Sequence, residues 1–154
     1  MKKIILTTLA ACATIFAVGS ATAAETKTIK RAASPLLVMV TSDNAQVQLM
    51  SMVLTMQAAQ QGANTRVLLC GDAGDMALRD APNNVTAGQP PKNMSAQGLM
   101  KMVMEKTKTQ VEVCAIYLPG KGLTQSALID GVTVADPADV AAVMVDYKTK
   151  IASF

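Results

Sequence analysis

Histidine and tryptophan are both absent from the 154 residues, and the only aromatic residues are two tyrosines and two phenylalanines. Without histidine the chain cannot build a Ser-His-Asp or Cys-His catalytic pair, nor a zinc site with imidazole ligands. The scarcity of aromatic side chains argues against a base-stacking surface for nucleic acid. The net charge of +3 is also too small for binding through phosphates. We therefore expect no nucleic-acid partner.

The N-terminal segment has the pattern of a secretory signal peptide, which we expect to occupy residues 1–23. A basic start is followed by an apolar run, Ile4 to Val18, and by small residues that favour cleavage after Ala23. The run is shorter than the roughly 20 residues of a membrane-spanning helix, which argues against a membrane anchor. Leu9-Ala10-Ala11-Cys12 resembles a lipoprotein processing site, but the apolar run continues beyond it. The pattern favours export to a bacterial periplasm, with no membrane attachment after cleavage.

Cleavage would leave a polar, flexible lead-in, residues 24–35, and a single domain, residues 36–154. A domain of that size buries enough surface to fold without disulfide bonds. Because Cys12 lies in the leader, the domain keeps two cysteines, Cys70 and Cys114. In an oxidising compartment neither of them can be assumed to be a free thiol.

Apolar runs alternate with helix signals along the domain. The predicted strands are 36–41, 65–70, 111–115, 132–135 and 150–154; the predicted helices are 44–61, 95–108 and 137–148, with short helical turns at 76–80 and 124–128. We expect Ser42 or Asp43 to cap the first helix, residues 81–93 to be irregular, and Pro119-Gly120-Lys121-Gly122 to break the chain. The alternation predicts an α/β fold with a mainly parallel five-stranded sheet and helices on both faces.

Cys70 and Cys114 both fall at the carboxyl ends of predicted strands, where reactive groups collect in such folds. Cys114 is a candidate nucleophilic thiol, and Lys121 in the following loop is a cation that could stabilise its thiolate. Each cysteine could instead be an apolar core residue. A disulfide between them is a further alternative, which requires neighbouring strands and Cα atoms within about 7 Å.

Two other patterns suggest metal or cofactor binding, but both have simpler interpretations. Methionines at 50, 52, 56, 100, 102 and 104 suggest Cu(I) handling together with cysteine. Because they fall in predicted helices, where residues two apart point to different sides, most are better interpreted as core residues. The segment from Cys70 to Asp75 matches neither the dinucleotide fingerprint nor the phosphate loop. We therefore expect no cofactor and no metal site.

Val111-Glu112-Val113-Cys114, followed by Lys121-Gly122, resembles the DsrE/DsrF-like family, whose members place a cysteine at a strand end with Arg-Gly at a similar offset. Val67–Gly74 and Leu128–Ala135 also resemble segments of that family. The resemblance implies a three-layer α/β/α fold and homo-oligomers, commonly trimers or hexamers. It further implies a persulfide on Cys114, with Lys121 in place of the Arg as the charge that stabilises the thiolate.

The leading hypothesis is therefore a periplasmic sulfur carrier, at most sulfurtransferase-like, that exchanges sulfur with a donor or acceptor protein. Cys114 would carry the sulfur, and Cys70, a thiol additional to the family pattern, would be its resolving or disulfide partner. One alternative is a non-catalytic oligomeric binding or assembly module, which the many apolar residues and the lack of acid-base groups would also suit. The other is the Cu(I)-handling protein.

Overall fold

The computed structural model describes residues 34–154, so the predicted signal peptide and nearly all of the predicted lead-in lie outside the described residues. The strands are β1 (Pro35–Val40), β2 (Asn64–Leu69), β3 (Gln110–Val113), β4 (Val132–Val134) and β5 (Lys150–Ser153). The helices are α1 (Ala45–Gln60), α2 (Asn83–Thr86), α3 (Ala96–Thr107), α4 (Tyr117–Lys121) and α5 (Pro137–Val145), with two 3₁₀ helices, Gly71–Ala77 and Gln125–Ala127. Within this part of the chain, none of the helices has the length and apolarity that a membrane span requires.

The five strands form one sheet in the order β4-β3-β2-β1-β5, and each neighbouring pair is parallel. The crossover connections from β1 to β2, from β2 to β3 and from β3 to β4 all run in one direction across the sheet. The connection from β4 to β5 runs back and places β5 on the other side of β1. Since such crossovers are right-handed, the helix of the last one packs on the opposite face of the sheet. The predicted three-layer α/β/α fold is thus confirmed, and the sheet is fully parallel.

One face of the sheet forms the main core with α1 and α3. Alternate strand residues point into it, among them Val40, Leu69 and Val113, because successive side chains of a strand face opposite ways. From the helices, Met52 and Met100 are completely buried in this core. Their interpretation as core residues is therefore confirmed.

Among the described residues, α5 is the helix that covers the opposite face, where a smaller core forms. Leu37 and Leu68 from the strands pack there with Val140 of α5. Beyond that contact, Val145 and Tyr147 are 83% and 89% exposed, and Ile151 on edge strand β5 is 47% exposed. This layer therefore presents apolar side chains to solvent.

The start of α1 differs from the prediction, because the cap is neither Ser42 nor Asp43. The side chain of Asn44 accepts hydrogen bonds from the backbone N–H groups of Gln46 and Val47, at 2.9 and 3.2 Å. Ser42 Oγ instead accepts from the Asn44 N–H at 3.1 Å. Asn44 satisfies two of the free N–H groups of the first turn, which is what a cap residue does.

Three loops contain more helix than the sequence predicts. The first 3₁₀ helix begins at Gly71 and not near residue 76, because Gly71 adopts a left-handed φ of 57° that turns the chain directly after β2. Helix α2 lies within the stretch 81–93 that was predicted to be irregular. The predicted break at 119–122 is wrong as well. Pro119 is tolerated in the first turn of α4, and Gly122, with φ of 66°, ends that helix.

Candidate functional site: two cysteines at one edge of the sheet

The register of the sheet places Cys70 and Cys114 side by side. Leu69 on β2 pairs with Val113 on β3. Cys70 directly follows Leu69, and Cys114 directly follows Val113. The ladder continues through both of them: the Cys70 N–H donates to Val40 O and the Cys114 N–H to Leu69 O, each at 2.9 Å. Their Cα atoms are 5.2 Å apart, within the usual range for a disulfide.

The two sulfurs are joined in a disulfide bond across a sequence separation of 44. Of the alternatives that the sequence left open for these two residues, the structure has the disulfide. Both cysteines are partly exposed and pack against the smaller core, and Cys114 also contacts the main core. The disulfide thus lies at the carboxyl edge of the sheet.

A cluster of three polar side chains, Asp75, Tyr117 and Lys121, joins the segments that follow the two cysteines; we call it the Asp75 cluster. Asp75 Oδ1 accepts a hydrogen bond from the Tyr117 hydroxyl at 2.6 Å and one from Lys121 Nζ at 2.8 Å. The Lys121 ammonium also lies 5.7 Å from the centroid of the Tyr117 ring. Asp72 is a more distant partner, with its Oδ1 4.0 Å from Lys121 Nζ.

The environment of the Asp75 cluster favours the protonated forms of Tyr117 and Lys121. Burial, the hydrogen bond to Asp75 and the negative charges of Asp75 and Asp72 raise the pKa of Tyr117 well above its ordinary value. The hydrogen bond to Asp75 likewise raises the pKa of Lys121. At neutral pH the cluster therefore contains a neutral phenol and a cationic ammonium on one carboxylate.

Close packing fixes the ring of Tyr117. Gly74 lies directly against it, and a Cβ on residue 74 would overlap the ring carbons. Gly74 and Tyr117 are both buried. Only glycine lets the 3₁₀ helix approach α4 this closely, so the Tyr117 hydroxyl is aimed at Asp75 by packing as well as by its hydrogen bond.

The structure brings together two of the three predicted site residues and pairs the third with an acidic residue. Cys70 and Cys114 are bonded to each other, while Lys121 is paired with Asp75. A role for Lys121 in stabilising the Cys114 thiolate stays a prediction. Sequence reasoning missed Tyr117. The only signal was its position three residues after Cys114, and nothing in the sequence pairs it with Asp75.

The described residues also bear on the metal alternatives. Among residues 34–154, no group of three or more cysteine and carboxylate side chains is arranged to hold a metal ion. The two cysteines that a Cu(I) site would use are bonded to each other. Of the acidic residues after β2, Asp75 is a partner of Tyr117 and Lys121, and Asp72 is a partner of Lys121.

Comparison with known proteins shows similarity at the level of the fold. No protein-family model matches the chain, and no curated protein matches it. Among solved structures, YchN from E. coli superimposes with a TM-score of 0.62 at 18% identity, over 80% of this chain and 100% of YchN. MTH1491 from Methanobacterium thermoautotrophicum, described as a protein of unknown function, gives 0.57 at 12% identity over the same shares. Both have the DsrE/DsrF-like fold, and so does this chain.

Proposed function

We propose that this protein is an exported thiol protein that carries sulfane sulfur on Cys114, with Cys70 as its resolving partner. The single observation that supports this most strongly is the pair of partly exposed cysteines, bonded to each other at the carboxyl edge of a parallel sheet. That edge is where α/β folds hold their reactive groups. The DsrE/DsrF-like fold and the persulfide chemistry implied by the resemblance point the same way.

The chemistry starts from the reduced pair. The Cys114 thiolate attacks the outer sulfur of a donor persulfide, R–S–SH, which gives Cys114–S–SH and releases R–S⁻. An acceptor thiolate then takes the outer sulfur, which regenerates the Cys114 thiolate. In the absence of an acceptor, the Cys70 thiolate attacks the inner sulfur of Cys114 and expels hydrosulfide, which forms the disulfide. A dithiol partner must then reduce that disulfide before the next cycle.

The proposed location is the periplasm, with the protein released from the membrane after cleavage of residues 1–23. The apolar run and small residues before Ala24 support this, as does the disulfide, because such bonds persist in oxidising compartments. In an oxidising location, Cys70 would protect Cys114 from irreversible oxidation. A lone persulfide there is exposed to oxidation, whereas a resolving thiol converts it to a stable disulfide.

Single cysteine variants test the carrier role. We expect Cys70→Ala, reduced and then treated with polysulfide, to retain one added sulfur atom on the Cys114 peptide. We expect wild type to lose that sulfur as hydrosulfide and to return to the disulfide, and Cys114→Ala to accumulate none on Cys70. Mass spectrometry of alkylated peptides measures all three. If Cys114 in Cys70→Ala remains an unmodified thiol, the carrier role is excluded and the assembly-module alternative is favoured.

The proposed oligomer forms through the apolar side chains left exposed around α5 and β5, covered by a second copy of this chain. Val145, Tyr147 and Ile151 lie there, and burying large apolar side chains is the main favourable term in association. We expect the double variant Val145→Lys, Tyr147→Lys to sediment as a monomer, with a lower sedimentation coefficient than the wild-type oligomer. Met50→Lys is the control, because Met50 is 51% exposed on α1 in the opposite layer. If both variants sediment like wild type, these residues are not the interface.

A further inference from the structure

We infer that the Asp75 cluster is a non-covalent clamp that holds the segments carrying Cys70 and Cys114 together, so that the two sulfurs stay in reach of each other after the disulfide is reduced. The inference deepens the proposed function, since it concerns the same cysteine pair. Asp75, Tyr117 and Lys121 are in this view positioning residues. They act on the thiol-disulfide equilibrium through the position of the two segments and not by contact with a reacting sulfur.

The clamp joins the same two segments that the disulfide joins. Asp75 lies in the 3₁₀ helix that follows Cys70 directly, while Tyr117 and Lys121 lie on α4, which follows Cys114. The Tyr117 N–H donates to the Cys114 carbonyl at 2.9 Å, so the start of α4 is fixed to the cysteine itself. Movement of α4 away from the 3₁₀ helix would therefore pull Cys114 away from Cys70, against the hydrogen bond from the Cys114 N–H to Leu69 O.

The contacts of the clamp are of the stronger kind. Both hydrogen bonds involve an ionised carboxylate, and such bonds are shorter and stronger than neutral ones. The side chain of Asp75 is only 14% exposed, against 39% for Lys121, so the carboxylate is the shielded member of the pair. Loss of either donor leaves that carboxylate with one fewer partner, which is costly for a mostly buried charge.

Thermodynamic linkage turns this geometry into a measurable quantity. If the clamp favours the disulfide by some factor, the disulfide favours the clamp by the same factor. Weakening the clamp must then move the equilibrium Cys70–S–S–Cys114 + 2 GSH ⇌ 2 protein thiols + GSSG to the right. Reduction must also loosen the hydrogen bond between Tyr117 and Asp75.

The test is the equilibrium of the folded protein with glutathione at a mildly acidic pH, where the thiols are protonated and their charge has no effect. After rapid alkylation, mass spectrometry gives the ratio of dithiol to disulfide. We expect Tyr117→Phe, which removes one hydrogen bond without changing any charge, to shift the equilibrium about fivefold towards the dithiol. Lys121→Met should shift it in the same direction, and Lys121→Arg, which can keep the ion pair, should remain close to wild type.

The control is Asp130→Asn, which breaks an exposed ion pair with Arg79 that does not involve the Asp75 cluster. It should leave the equilibrium unchanged. The inference is overturned if Tyr117→Phe and Lys121→Met both match wild type, or if Asp130→Asn shifts as far as they do. The Lys121→Met measurement is then repeated near the pH at which the thiols ionise. If the equilibrium of this variant shifts towards the disulfide there, Lys121 acts directly on a thiolate and not through the clamp.

A spectroscopic readout gives a second, independent check. In a Tyr147→Phe background, Tyr117 is the only tyrosine, and the ultraviolet absorption maximum of its ring reports the hydrogen bond that its hydroxyl donates. At the same mildly acidic pH we expect reduction of the disulfide to shift that maximum towards the value of an exposed tyrosine, and an unchanged maximum would contradict the inference. Neither measurement depends on persulfide formation. The clamp can thus be upheld when Cys114 fails to load sulfur, and it can fail when Cys114 loads normally.

Discussion

Replacing both Cys70 and Cys114 by alanine is expected to lower the free energy of unfolding by about 4 kcal/mol relative to the oxidised wild type, on the chain-entropy model of a disulfide. The bond links positions separated by 44 residues, so it removes much of the freedom of the unfolded chain. The described domain makes its own extensive core, so we expect the variant to fold nevertheless. Urea denaturation followed by circular dichroism measures the difference.

The matched control for this prediction is chemical reduction. Wild type in dithiothreitol should unfold at nearly the same urea concentration as the double alanine variant, and reductant should not change the variant itself. If oxidised and reduced wild type unfold at the same concentration, the bond contributes nothing to stability. The disulfide would then have a role only in the thiol chemistry of the two cysteines.

Replacing Glu112 by glutamine is expected to cost about 3–5 kcal/mol, because it leaves the cation of Arg66 without its counter-charge. Glu112 lies on β3 beneath the α5 layer, with its side chain 5% exposed, and its Oε2 is 2.5 Å from Arg66 Nε. The side chain of Arg66 is itself only 16% exposed. Gln110 Nε2 donates to the second carboxylate oxygen at 2.9 Å, so both oxygens of Glu112 have partners.

Removing both charges together separates the ion pair from the packing around it. Arg66→Met combined with Glu112→Leu should recover most of the lost stability, since apolar residues of similar volume often replace a buried pair at little cost. Urea denaturation compares the two variants with wild type. If Glu112→Gln unfolds at the same urea concentration as wild type, the ion pair is accessible to water and does not contribute the expected stability.

The regular part of the fold could be predicted from the sequence because its signals are local. Apolar runs such as Leu36 to Val40 indicated strands covered on both faces, and Ser95 and Asp136 indicated helix starts that their side chains do cap. The alternation of the two element types then left a parallel sheet as the natural arrangement. The placement of both cysteines at strand ends followed from those same boundaries.

The remainder depended on contacts between distant parts of the chain. Whether Cys70 and Cys114 pair depends on β2 and β3 being neighbours in register, which no local pattern specifies. The hydrogen bond from Tyr117 to Asp75 spans 42 positions and depends on the close approach that Gly74 allows. The loops were underestimated because a left-handed glycine and a proline in a first turn can start and end short helices as readily as they interrupt them.

The most direct test of the central claim is the chemical state of Cys114 in wild type and in the Cys70→Ala variant, both isolated from host cells. Cells are quenched in acid with an alkylating agent and the Cys114 peptide is analysed by mass spectrometry, with and without polysulfide in the medium. We predict that Cys114 of wild type is found in the disulfide with Cys70, and that Cys114 of the Cys70→Ala variant is found, after polysulfide, partly as a persulfide. If Cys114 of the variant is found only as a free thiol that polysulfide does not change, the claim is wrong.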